Sequence, residues 1–378
     1  MNEIRVLLSF LINGFGSWMT FTALALMLNE RFGSSHVAYS FLLQSIPSLL
    51  LVAPIIARIK SKWTYGIFHV SFLFSALTSL ALIKANSIAL VYFLTFLGSY
   101  VAGIRQPLFW SLATSWFQSS DRSQVNTRLA SINGLTLCLA PPLGAWLSVK
   151  FGYAPLFVID AITFIIASLL LISNKTQVHE SIKTQAKSLT EGDLKTSTKH
   201  LIYLWYSFLI VGAFFNAIEF EGFNRAGLNK EGIGFVLGAW GLGSFLAFLV
   251  TTKVKISKKF LGFILVACYG SFPLLKSQVI LLIVFLIGGW AFAQFTGELR
   301  SNLQSEEEKN NFRSVDFWSL VQKRLALINI IGYGSIGFLL EKKYWGISVG
   351  ILFLALSLFG KLVLSNDQEN PKLKTQEN

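Results

Sequence analysis

Residues 173–200 read SNKTQVHESIKTQAKSLTEGDLKTSTKH, a run of Lys, Thr, Ser, Gln and Glu without apolar periodicity. It is the longest polar interruption inside the chain, and both flanks are dominated by apolar stretches near the length of a bilayer crossing. A hydrocarbon core needs roughly 20 apolar residues of helix. Such stretches are predicted at 5–28, 36–57, 64–83, 87–105, 129–149 and 154–173 before the polar run, and at 201–220, 233–252, 260–275, 278–297, 321–340 and 344–364 after it. The run therefore separates six spans from six.

Within lipid each stretch must be helical, because helices and closed barrels alone satisfy every backbone polar group, and the short alternating strands of a barrel do not appear. A composition of 53% hydrophobic, 14% aromatic and 13% charged residues is far from that of a soluble domain. The expected fold is an all-α polytopic membrane protein with 12 transmembrane helices in two pseudo-symmetric six-helix bundles. These are residues 1–173 and 201–365, joined by a cytoplasmic linker over 174–200 and followed by a disordered polar tail over 366–378. Arg58-Ile59-Lys60 and Lys253-Val254-Lys255 mark the ends of spans two and eight at an offset of 195, a weak sign of an internal repeat.

The net charge of +13 takes its meaning from placement. With the N-terminus in the cytoplasm, 24 of the 32 lysines and arginines fall on the cytoplasmic side; Arg31, Lys84, Lys150, Arg225, Lys230, Lys276, Lys342 and Lys343 fall on the other. This positive-inside asymmetry puts both termini in the cytoplasm and makes the basic balance a matter of topology rather than nucleic-acid binding. The first apolar stretch lacks a short core followed by a small-residue cleavage site and reads as a retained helix. Cys138 and Cys268 lie in different spans, so no disulfide framework or metal cluster is expected, and no phosphate-binding loop or nucleophile constellation appears. No cofactor is implied, and a carrier driven by an ion gradient is expected rather than an ATP-driven pump.

Small residues gather in two spans. Span five carries Gly134, Ala140, Pro141, Pro142, Gly144 and Ala145; span eight carries Gly234, Gly238, Gly241 and Gly243. Small side chains let helices approach closely in lipid, so these positions read either as ordinary tight packing or as a seam between halves that opens and closes.

Six plus six helices around a central basic loop resemble the major facilitator superfamily over nearly the whole chain. The first half resembles the branch of the enterobactin exporter and macrolide-efflux proteins. The matching residues are Gly16-Ser17-Trp18-Met19-Thr20 with Ala23-Leu24, Gln44-Ser45-Ile46-Pro47, and a series running from Asn126 and Leu129 through Pro141, Gly144, Phe151-Gly152-Tyr153 and Phe157 to Asp160-Ala161-Ile162-Thr163-Phe164. Ala140-Pro141-Pro142-Leu143-Gly144-Ala145 also resembles the antiporter motif of span five. Two departures stand out. The loop Pro54 to Lys62 keeps the basic part of the family pattern without its Gly and Asp, and Ser17 stands where the branch commonly has an acidic residue.

The resemblance implies that spans one, four, seven and ten line a central cavity. Ionisable groups inside a membrane cost about 2.5–3.5 kcal/mol on insertion scales, which makes each a candidate site. Glu219 in span seven reads either as a carboxyl that loads a proton from outside and releases it inside, or as a group at the water interface. Asp160 reads as a proton carrier or a structural hydrogen-bonding group, His69 as a proton relay or a satisfied polar group, and Arg105 as an anion contact or an interfacial anchor. Uncharged cavity candidates are Asn13, Ser17, Gln44, Asn216, Gln294 and Asn329, with Trp18 and Trp240 as rings that stack on substrate.

The function expected from these readings is proton-coupled export of an amphipathic small molecule, such as a siderophore, drug or metabolite, by a monomer in a bacterial cytoplasmic (inner) membrane. Its partners are the substrate, protons and lipid. Uptake of a small metabolite, and a non-transporting receptor or assembly platform, stand as alternatives.

Overall fold

The computed structural model describes residues 3–50, 55, 58–59, 61–116, 122–172, 196–251, 256–309 and 314–365. Among them 91% are helical and no strand occurs. Twelve α-helices follow one another: α1 (Glu3–Phe32), α2 (Ser34–Leu50), α3 (Ser61–Leu82), α4 (Ile88–Trp116), α5 (Arg122–Phe151), α6 (Ala154–Leu170), α7 (Thr196–Arg225), α8 (Lys230–Thr251), α9 (Lys258–Ser271), α10 (Gln278–Lys309), α11 (Ser314–Glu341) and α12 (Trp345–Ser365). Eight of these are long and apolar enough to cross a membrane by themselves. The linker over 174–195, the tail after 365 and much of the 54–62 loop lie outside the described residues.

One end of the bundle carries short turns between α1 and α2, α5 and α6, and α7 and α8. Gly33, Gly152 and Gly227 sit there at φ 98°, 75° and 71°, and their N–H groups bond back to carbonyls of the preceding helix. That backbone region suits glycine and ends a helix abruptly, which keeps these turns tight.

Several helices outrun the apolar stretches. α4 continues through Pro107 to Trp116, α7 starts at Thr196 inside the expected linker, and α10 runs on through Glu306-Glu307-Glu308 to Lys309, past the apolar stretch at 278–297. Hydropathy reports lipid depth, not where a helix stops. Glu and Lys are strong helix formers and continue a helix into water without cost.

The residues facing lipid and the residues facing protein separate cleanly. Leu73, Phe74, Leu77, Phe263 and Leu354 are exposed, whereas Phe68, Phe157, Phe208, Phe223, Phe285 and Phe359 are fully buried between helices. Because lipid is as apolar as leucine, close packing and interhelical hydrogen bonds rather than hydrophobic exclusion hold the bundle together.

Candidate functional site

The first six helices meet the last six along two lines. In one, Gly234, Gly238 and Gly241 of α8 face Leu137 to Ala145 of α5. A Cβ at Gly234 would lie 2.5 Å from Ala145 Cβ, one at Gly238 would lie 2.5 Å from Pro142 Cγ, and one at Gly241 would lie within 2.3 Å of the Cys138 backbone nitrogen. Further along, Gly134 meets the backbone of Phe245 at 3.2 Å by the same measure. Gly144 turns instead toward Met19 and Leu156, and Ala140 is fully buried. In the second line Leu42 and Tyr39 of α2 fill the space beside Gly334 and Gly337 of α11.

Four hydrogen-bonded links join the two sets of helices at the short-turn end. Asn29 and Asn224 exchange amide hydrogen bonds of 2.9 Å in both directions. Ser34 Oγ donates to Glu221 at 2.7 Å, and Arg225 Nε holds the other oxygen at 2.8 Å. Tyr39 donates to Glu341 at 2.7 Å. Glu30 accepts from Lys230 Nζ at 2.8 Å and from the Tyr153 hydroxyl at 2.6 Å. Glu30 lies beyond the apolar stretch of α1, where the Lys230 ammonium first, and the Tyr153 hydroxyl second, hold its carboxyl below the ordinary carboxylate range despite partial desolvation.

A depressed folded pKa means that this link contributes fully above the ordinary carboxylate range and is lost as pH falls through the lowered value. The pair is largely exposed, so its worth is about 0.2–1 kcal/mol. Lys230→Ala is therefore expected to speed labelling of an Asn216→Cys variant, lacking Cys138 and Cys268, by a membrane-impermeant maleimide from the short-turn side, by up to about fivefold at neutral pH. In strong acid the wild-type link is already lost and the difference between the two chains vanishes. Equal labelling at neutral pH would remove the link from control of access.

Below these links lies Glu219 on α7. It is 8% exposed, and no hydrogen bond to its carboxyl is found among the described residues. Tyr269 of α9 and Tyr333 of α11 lie within electrostatic reach of it. Glu221, only two residues on, faces the inter-bundle link instead.

Asp160 and Arg105 occupy the interior of the first six helices. Asp160 is 2% exposed and accepts from Ser79 Oγ at 2.7 Å. Its other oxygen faces Gly16, where a Cβ would lie 3.0 Å away, and has no hydrogen-bond partner among the described residues; Thr20 Oγ1 sits beside the carboxyl without meeting hydrogen-bond geometry. Arg105 is held between the rings of Phe72 and Phe164, at 4.7 and 4.8 Å, and donates to Ser75 Oγ at 2.6 Å. Ser75 and Ser79 are one turn apart on α3, so a single row of hydroxyls connects the cation to the anion. His69 Nδ1 lies 2.8 Å from Ser168 Oγ on the lower part of the same seam.

Removing one member of a buried charge pair costs on the order of 3 kcal/mol, because the other charge is left uncompensated. Asp160→Ala is therefore expected to lower the detergent melting temperature markedly, and Asp160→Ala with Arg105→Met to recover part of it. Equal melting of the single and double variants would show the two charges to be independent.

The remaining candidates divide by packing. Gln294 donates to the Ala247 carbonyl at 2.8 Å, and Trp240 stacks on Tyr269 at 5.8 Å with Gly288 and Gly289 against it, so both belong to the interior of the last six helices. Trp18 reaches Asn133 at 3.4 Å, and Asn216 reaches the Tyr333 hydroxyl at 3.5 Å. Asn13 Oδ1 is buried without a hydrogen-bond partner among the described residues, and Ser17, Gln44 and Asn329 are half-buried. Asn133, Tyr333, Tyr39, Glu30 and Lys230 were not singled out from sequence, since nothing local to them signals a partner in a distant helix. Among the described residues no group of His, Cys, Asp and Glu could hold a metal ion.

None of the curated proteins matches the chain significantly. Among solved structures it is similar to the nucleoside transporter NupG, with TM-score 0.67 and 14% identity over 97% of this chain and 99% of that one. It is also similar to a bacterial homologue of the iron transporter ferroportin. The outward-facing state gives TM-score 0.64 and 17% identity over 97% and 100% of the two chains; the inward-facing state gives 0.65 and 17% over 96% and 98%. At these identities the likeness is one of fold. The Major Facilitator Superfamily profile matches residues 6–304. The fold and this match together show that the chain belongs to the major facilitator superfamily, as a multi-pass membrane transporter and not an enzyme.

Proposed function

We propose that the protein exports an amphipathic small molecule across a bacterial cytoplasmic membrane in exchange for protons, by rocking residues 1–173 against residues 201–365. All twelve helices cross the bilayer, both termini lie in the cytoplasm, and the monomer is the working unit. The observation that carries the reading is Glu219, nine-tenths buried and without a hydrogen-bond partner among the described residues, close to the links that join the two sets of helices. A carboxylate in that position holds its charge only at a large cost, so it takes up a proton from the outer water before the site closes, keeps it while shut off from water, and gives it up when the inner side opens.

The charge asymmetry makes the linked short-turn end the outer one, so the described conformation is closed to the outside. Separation of the α5–α8 and α2–α11 lines then opens the outer side, and their closure returns it, which is alternating access around a midplane site. Export follows from the likeness of span five to the antiporter motif. Everted membrane vesicles, acidified inside, are expected to accumulate ethidium or another amphipathic tracer only when the protein is present. Accumulation confined to right-side-out vesicles would overturn export.

A further inference from the structure

Four rings form a continuous arc from α1 through α2 to α11. Trp18 meets Phe21 edge-on at 5.3 Å, Phe21 and Phe41 stack at 5.3 Å with an interplanar angle of 5°, and Tyr333 meets Phe41 edge-on at 5.5 Å. The first three rings brace one another within the first six helices, so Phe41 moves with that half. Tyr333 belongs to the last six, and its contact with Phe41 is where the arc crosses between them.

The helix that carries Tyr333 is closely fitted on both sides. A Cβ at Gly332 would lie 2.8 Å from the Ala213 Cβ of α7, one at Gly334 would lie 2.9 Å from Leu42 Cδ1, and one at Gly337 would lie 2.7 Å from Tyr39 Cε1. α11 therefore presses against α7 of its own half and α2 of the other, with Tyr333 between. The Tyr333 hydroxyl accepts from Asn216 Nδ2 at 3.5 Å, the long limit of a hydrogen bond, and Asn216 is one turn from Glu219 on α7.

Two tyrosines lie within electrostatic reach of Glu219, and they are held differently. Tyr269 stacks on Phe215 at 4.3 Å and on Trp240 at 5.8 Å, all of them in the last six helices, so its support does not depend on the other half. Tyr333 and Glu219 are each 8% exposed. Of the two tyrosines, Tyr333 alone touches an aromatic ring of the first six helices among the described residues. Close-packed interiors do not tolerate a gap of one ring, so withdrawal of Phe41 leaves a space that Tyr333 turns into or water fills. The long Asn216 contact does not hold the phenol against that movement.

Resting on the reading of Glu219 above, we propose that Tyr333 is a positioning residue whose ring shuts Glu219 off from the outer water for as long as Phe41 of the other half supports it. When α2 draws away from α11, the ring loses its backing and the carboxyl meets outer water, where it takes up a proton. When α2 returns, Phe41 reseats the phenol and the proton is trapped. Access to the acid is thereby tied to the same separation of helices that opens the outer side, through one ring contact between α2 and α11.

The test uses the full-length protein in right-side-out membrane vesicles, with Glu219→Cys and Cys268→Ser introduced and the native Cys138 kept. A membrane-impermeant maleimide is added outside, and labelling is read position by position from peptide masses. Cys138 lies on the α5–α8 line and reports general opening of the outer side. Tyr333→Ala is expected to speed labelling at position 219, relative to position 138, by about five- to tenfold, the scale set by one edge-on ring contact. Tyr333→Phe keeps the ring and is expected to stay within about twofold of the parent chain. Phe41→Ala leaves the phenol but removes its backing, and is expected to act as Tyr333→Ala does; it also serves should that chain fail to fold. Unchanged labelling at position 219 in either alanine chain that folds, an equal rise at position 138, or a rise with Tyr333→Phe as large as with Tyr333→Ala would overturn the inference. Whether Glu219 carries the proton is decided separately, by pH-driven accumulation in the Glu219→Gln chain with Tyr333 intact.

Discussion

Glu219→Gln is expected to abolish solute accumulation driven by a pH gradient while leaving solute binding within about threefold of wild type. The substitution keeps the shape and the capacity to accept and donate hydrogen bonds, and removes the ability to exchange a proton. Counterflow, in which labelled solute inside exchanges for unlabelled solute outside, needs no net proton movement and should persist. The prediction discriminates because the alternatives differ in their readouts. If Glu219 only holds structure, the variant loses melting temperature and binding together; if another group couples the proton, pH-driven accumulation survives. A loss of at least tenfold in pH-driven accumulation with counterflow intact is the expected pattern, and unchanged accumulation would remove Glu219 from the mechanism. Asp160 is the natural comparison, since Asp160→Asn keeps the Ser79 contact while removing the charge opposite Arg105. Its effect is expected to fall on melting temperature.

The second large effect is expected at Gly241. Its Cβ position lies 2.3 Å from the Cys138 nitrogen, 2.4 Å from the Leu137 carbonyl carbon and 2.7 Å from the Cys138 Cα, all backbone atoms that cannot turn aside as a side chain would. A methyl group there must push α8 away from α5. Overpacking of this kind costs about 1–3 kcal/mol, against the ~1 kcal/mol that alanine gains over glycine as a helix former. Gly241→Ala should thus be destabilising on balance, and Gly241→Val more so. In the transport cycle proposed above, the close approach belongs to the outward-closed conformation, so separation of the helices relieves the strain. Gly241→Val is accordingly expected to raise maleimide labelling of Asn216→Cys from outside as well as lowering the melting temperature. Gly212→Ala meets open space and serves as the control, with a melting temperature unchanged or slightly raised. Equal melting and equal labelling of the Gly241→Val and Gly212→Ala chains would show that the α5–α8 approach carries no conformational weight.

The four links at the short-turn end act in the same direction but individually contribute less. Glu30 and Lys230 are 200 residues apart, as are Asn29 and Asn224 to within a few positions. Each is polar, near a helix end, and in sequence indistinguishable from any solvated turn. Glu30 with Tyr153 and Lys230, and Tyr39 with Glu341, become visible as a set only when both sets of helices are placed side by side.

Arg105 shows the same limit from within one bundle. Its charge and its position near the end of an apolar stretch suggest an interfacial anchor or an anion contact, and neither reading follows from where the side chain lies. The guanidinium turns inward between Phe72 and Phe164 toward Ser75, because α3 presents a row of hydroxyls that returns the hydrogen bonds lost in leaving water. The hydroxyls are present in the sequence at Ser71, Ser75 and Ser79 with helical spacing, but serines in a membrane helix also bond their own backbone, as Ser71 does to Phe68. Spacing alone does not distinguish the two uses.

Trp18 and Trp240 part ways for a comparable reason. Both are tryptophans deep in apolar helices. Trp240 is clasped by the backbone at Gly289, where a Cβ would lie 2.1 Å from its carbonyl oxygen, and its ring is spent on Tyr269 and Phe215. Trp18 instead reaches an exposed Asn133 and joins the aromatic arc.

By itself the sequence determined that the chain is helical and membrane-embedded. Each of those properties comes from matching one helix at a time to a uniform solvent, and a run of side chains records that match directly. The glycine spacing at 234, 238 and 241 was legible in the same way as a face able to approach another helix. Which backbone it approaches, which carboxylate is left without a partner, and which rings line up from α1 to α11 were decided only by the tertiary structure. Those outcomes depend on how helices far apart in the chain are rotated and tilted against one another, and lipid exerts the same pull on every apolar face.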